Sequence, residues 1–94
     1  MESDEERDAV EELSFLFGPT IVEQAQLLDI SDFNMTDEMT AGIGAGIKQL
    51  KQLRHDPAAQ RRWVEQQEAG LCLLLCLWIL DMELLDKIQT HSYL

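Results

Sequence analysis

Apolar residues recur along this chain at helical spacing, and the strict alternation of a half-buried strand is nearly absent. Val10, Leu13 and Phe17 fall on one face, with Leu16 beside them. Ile21, Ala25 and Leu28 make a second stripe, flanked by Val22 and Leu27. Met39, Ile43, Ile47, Leu50 and Leu53 make a third. Trp63, Leu71, Leu74, Trp78, Met82 and Leu85 mark a fourth, which predicts one helix from Pro57 to nearly Gln89.

The residues between the stripes punctuate them. Ser3 with Glu6 has capping-box spacing and starts a helix near Asp4. Gly18-Pro19 ends it, because proline cannot continue the hydrogen-bond ladder. Thr20 with Glu23 is a second capping box, opening a short helix through about Asp29. The stretch from Asp29 to Met35 reads as a loop. Thr36 caps a third helix, with Asp37 and Glu38 where the helix dipole favours negative charge. Asp56-Pro57 is the sharpest boundary, an N-cap followed by proline at the first helical position.

These elements predict an all-α fold: a small four-helix bundle (three to five) in a single domain over residues 1–94. It has an acidic N-terminal helix over 1–18 and a long apolar C-terminal helix over 57–89. Gly70 is the point at which that last helix bends or divides, if it does. Short connections favour antiparallel neighbours.

The run from Leu71 to Leu80 changes the picture most. A one-sided amphipathic helix needs about three or four apolar positions in every seven. Ten successive apolar residues cover the whole circumference instead. Such a helix is either the centre of its own bundle or buried by another chain. Leu73, Leu77 and Leu80 lie away from the Leu71-Leu74-Trp78 stripe, so they, with Trp78, are the candidate contacts for a partner or a second copy. At ~25 cal/mol per Å² of apolar area, leaving several leucines exposed costs kilocalories. Ten residues fall short of the roughly 17–25 that cross a bilayer, so no membrane span is expected. The acidic N-terminus lacks the features of a signal peptide. An intracellular setting, cytoplasmic or nuclear, is the expectation.

The formal net charge is −11 among 94 residues. The first 47 residues hold twelve acidic side chains and one basic, and residues 48–94 hold six of each, so the surplus belongs to the first half. Lys48, Lys51, Arg54, Arg61 and Arg62 form a basic elbow around the Asp56-Pro57 turn. The acidic arm, with Glu5, Glu6, Asp8 and Glu12, is a candidate surface for a basic partner. Direct nucleic-acid binding by so acidic a chain is disfavoured.

Other constellations carry less chemistry. Cys72 and Cys76 stand one turn apart, but His55 and His91 lack ligand spacing to them, so buried structural thiols are expected and no zinc. Asp32 to Thr36 opens like a calcium loop, yet Asp37 replaces its glycine and Ile43 its bidentate glutamate. Gly42, Gly44 and Gly46 lack the spacing of a phosphate loop and suggest close helix packing or a hinge. Ser92-Tyr93-Leu94 has the loose form of a carboxylate-captured C-terminus. Ser3, its capping role aside, could accept phosphate at a helix N-terminus. Nothing assembles a catalytic set, and no cofactor is expected. The expected function is a protein-interaction module, adaptor or regulatory subunit acting through the apolar helix. The alternative is an acidic inhibitor that mimics nucleic acid on another protein's basic site.

Overall fold

Each predicted break falls where backbone chemistry demands one. The computed structural model describes residues 4–89, with side chains from residue 7 onward. Helix α1, Asp4–Phe17, ends at Gly18, whose φ of 92° is open to glycine and strained for other residues. Helix α2, Pro19–Gln26, takes Gly18 as its N-cap and Pro19 as its first residue. Thr20 therefore lies inside the helix, and its expected capping box with Glu23 does not form. Asp29 and Asp32 cap each other reciprocally around a single 3₁₀ turn, Ile30–Asp32, inside the predicted loop. Two hydrogen bonds from Ser31, backbone and side chain, hold the Asp29 carboxyl below its ordinary pKa.

Helix α3, Asp37–Gln52, begins as expected, with Thr36 Oγ1 accepting the Met39 N–H at 3.1 Å. Helix α4, Pro57–Glu65, begins with Asp56 Oδ1 accepting the Ala59 N–H at 3.1 Å. The long C-terminal helix predicted over 57–89 is not continuous. It is divided into α4, α5 (Ala69–Asp81) and α6 (Leu85–Ile88). The first division lies at residues 66–68, and Gly70 is the second residue of α5. Gln67 turns its side chain back to the Trp63 carbonyl, occupying the acceptor that its own N–H would take in an unbroken helix. A straight helix of that length would reach ~50 Å at 1.5 Å per residue. The described fold measures 38 Å along its longest axis, so the chain must turn.

The second division is a Schellman turn. Leu84 N–H reaches the Ile79 carbonyl and Glu83 N–H the Leu80 carbonyl, with Glu83 itself at φ 53°.

The result is all-helical, six helices and no strand among the described residues. Helix α5 packs against α2, α3 and α1, while α1 also packs on α2 and α4, and α3 on α6. Most of these pairs are separated in sequence, so chain neighbours are not the dominant packing partners. One cluster of buried residues joins Leu13, Leu16, Val22, Ile43, Leu50, Val64, Leu75, Ile79 and Ile88, among others.

The inward face of α5 differs from the predicted stripe. Cys72, Leu75, Cys76 and Ile79 are buried at successive helical turns, while Leu71, Leu74 and Trp78 are half-buried and Met82 is exposed. Gly46 explains part of that choice. A Cβ there would stand 2.7 Å from Leu75 Cδ2, so glycine admits Leu75 against the backbone of α3. The close-packing reading of the glycine stretch therefore holds at Gly46.

Candidate functional site

Of the apolar candidates, Leu77 is core, 3% exposed, and so is not a partner-facing residue in this fold. Leu73, Leu80 and Trp78 are half-buried and packed against the same core. The expected partner surface on α5 is thus largely enclosed by the chain's own helices. The reason is geometric: α5 is surrounded on several sides at once, which an all-round apolar helix requires.

The acidic candidates lie elsewhere. Asp8 is exposed and Glu12 half-buried on α1; the side chains of Glu5 and Glu6 lie outside the described residues, as do Ser3, His91 and the Ser92-Tyr93-Leu94 ending. Apolar and acidic candidates therefore belong to different elements, α5 and α1.

A concavity lies at α1. A groove of about 220 Å³ is lined by Glu11, Glu12, Phe15, Pro57 and Gln89. Phe15 is 50% exposed, a large apolar ring left open between carboxylates. It sits off the Val10-Leu13-Phe17 stripe, which is why α1 turns it outward. The Arg61 guanidinium stands 5.2 Å from the centroid of its ring, bringing one residue of the basic elbow onto α1. Of the sequence candidates only Glu12 belongs to this groove, and Glu12 is already engaged by another group.

Gln89, which lines the groove, belongs to a network that periodicity does not reveal. Gln60, fully buried on α4, donates from Nε2 to the carbonyls of Leu50 and Ile88. Those two bonds orient its amide, so Oε1 faces Gln89 and accepts the Gln89 Nε2–H at 3.0 Å. Both carbonyls belong to helix C-terminal turns, where no intrahelical N–H remains to satisfy them. A glutamine at a buried helical position is the only sequence signal of this network, and it is weak.

The two thiols are set for packing. Burial, then the neighbouring Cys72, push the Cys76 thiol up to about 12; burial also raises Cys72. Cys72 Sγ–H donates to the Val64 carbonyl at 3.5 Å, tying α5 to the last turn of α4. A protonated thiol is a poor nucleophile and a poor metal ligand. Among the described residues no three His, Cys, Asp or Glu side chains gather around a common point for a metal ion. No helix among them is long and apolar enough to cross a membrane.

Comparison with family models, curated proteins and solved structures found no match to this chain.

Proposed function

We propose that this protein is a small helical protein-interaction module, an adaptor or regulatory subunit, whose contact surface is the acidic helix α1. The observation that carries the reading is one helix face. Asp8 and Glu11 are exposed there, Phe15 is half-exposed beside them, and α1 belongs to the half of the chain that holds the entire charge surplus. An open aromatic ring among carboxylates suits a contact in which charge steers the encounter and apolar area holds it. Helix α5 serves that surface from beneath, as the core on which α1 and its neighbours are built. Among the described residues the buried side chains are apolar apart from the Gln60–Gln89 pair and the two thiols, which suits a packed scaffold beneath a contact surface.

The experiment is recovery of the tagged full chain from native extract after mild cross-linking, beside a variant carrying Asp8→Lys and Glu11→Lys. A stoichiometric protein partner that the double reversal releases, with the fold intact by circular dichroism, is the expected result. A chain that travels alone, or a partner retained equally by both forms, overturns the reading.

A further inference from the structure

We propose that residues 84–89, which carry α6, are an exchangeable arm. It docks on α3 and Gln60 of its own chain or, reciprocally, on those of a second copy. Such self-association goes beyond the α1 contact surface and does not depend on it.

Nothing in the local sequence ends α5 at Asp81. Between Gly70 and Gln89 there is neither glycine nor proline, and Met82, Glu83, Leu84 and Leu85 include no poor helix former. Trp78, Met82 and Leu85 continue one helical face. Glu83 precedes Lys87 by four residues, the favourable order for a charge pair on an unbroken helix. The chain turns there nonetheless, with Glu83 at φ 53°. Glycine enters that region freely, and a residue with a Cβ enters it at a cost. The break is therefore imposed from outside the segment.

The far end of the arm imposes it. Ile88 is fully buried, Gln60 Nε2 donates to its carbonyl at 2.7 Å, and Gln89 Nε2 donates to Gln60 at 3.0 Å. Helix α6 packs on α3, and Gln60 stands on α4, so the groups that hold the arm lie far from it in sequence. A second copy presents the same groups, and they fit the same arm by identity. Exchange remakes all of these contacts and straightens residues 69–88 into one helix of ~30 Å. The bonds of the turn, Leu84 N–H to the Ile79 carbonyl and Glu83 N–H to the Leu80 carbonyl, give way to the regular ladder. Glu83 leaves the left-handed region. Opposing exchange are the entropy of association and the repulsion between two chains of net charge −11.

The test concentrates the full chain in high salt, which screens that repulsion, after mild denaturant has let the arm open and has been removed. Sedimentation is expected to show a dimer beside the monomer. Each dimer contains two straightened hinges, so a change at Glu83 counts twice. Glu83→Gly eases the turn and weakens the straight helix, and should lower the association constant at least tenfold. Glu83→Thr, whose β-branch tolerates the left-handed region poorly, should raise it at least threefold. Chains carrying heavy nitrogen and chains carrying heavy carbon are mixed before the denaturant step. Nuclear Overhauser contacts should then join the Gln60 side-chain amide of one copy to Ile88 of the other. A chain monomeric at every concentration overturns the exchange, as does a dimer whose Gln60–Ile88 contact stays within each copy. So does an association constant that neither Glu83 change moves. Should Glu83→Thr fail to fold, Glu83→Gly, which relaxes the turn, decides the matter by itself.

Discussion

The side-chain nitrogen of Gln60 donates to the backbone carbonyl of Ile88 at 2.7 Å and to that of Leu50 at 2.8 Å. One buried amide thereby closes the C-terminal turns of α3 and α6 at once. The Arg54 N–H, which a continued helix would direct to Leu50, bonds to the Lys51 carbonyl instead. Replacing Gln60 by leucine keeps the volume and removes both donors. Each buried carbonyl left without a partner costs about 1–3 kcal/mol. Gln60→Leu should therefore destabilise the protein by about 3 kcal/mol in urea titration, and hydrogen exchange at α6 should quicken most. A loss below about 0.5 kcal/mol would show that water replaces the amide freely.

Two glycines one half-turn apart on α3 should respond in opposite directions to the same change. Gly44 has open space around its missing Cβ, so Gly44→Ala should gain about 0.5–1 kcal/mol of helix propensity. Gly46→Ala drives a methyl into fully buried Leu75 and should lose about 1–2 kcal/mol net, overpacking outweighing the propensity gain. Shortening Leu75 to valine in the Gly46→Ala background should recover part of that loss, a coupling that a double-mutant cycle measures. Equal effects at Gly44 and Gly46 would place the close approach elsewhere.

Glu83 occupies the left-handed position of the Schellman turn that ends α5. A side chain there costs about 1–2 kcal/mol, and glycine escapes the clash at some cost in unfolded-state entropy. Glu83→Gly should raise stability by about 0.5–1 kcal/mol. A lowered melting temperature would mean that the Glu83 side chain contributes more than its backbone conformation costs.

Cys76 predicts how stability changes at alkaline pH. Its thiol titrates near 9.0 in an ordinary setting and about 12 in the fold. Between those values the unfolded chain releases a proton that the folded chain retains. Stability is therefore unaffected by this group below pH 9 and falls as pH rises from about 9 towards 12. Cys76→Ala should flatten that part of the pH–stability curve, whatever it does to stability at pH 7. An unchanged alkaline slope would assign the loss to other groups.

How far the sequence reached follows from the range of the forces involved. The ends of α1, α3 and α4 were legible because their causes are local: Gly18-Pro19, Thr36 and Asp56-Pro57 act through backbone geometry and side-chain oxygens within three residues. The stripes of α1 and α3 were legible because each is polar on one side. Leu13, Leu16 and Phe17, and Ile43, Ile47 and Leu50, are buried as their spacing predicts. Helix α5 offered no such contrast. A helix apolar on every side carries no information about which side its neighbours will take, so spacing leaves Leu77 a candidate for either core or partner, and packing places it in the core.

The sequence by itself determined the helical class, the acidic first half and the capped starts at Thr36 and Asp56, because propensity, charge and capping are properties of short segments. Tertiary structure decided the rest. It divided the last helix, because a rod of ~50 Å cannot wrap a small core. It brought Gln60, Leu50, Ile88 and Gln89 together across 39 residues of chain, which no periodicity encodes. It also left Phe15 open beside Glu11, since the surface that remains free depends on how all the helices pack together.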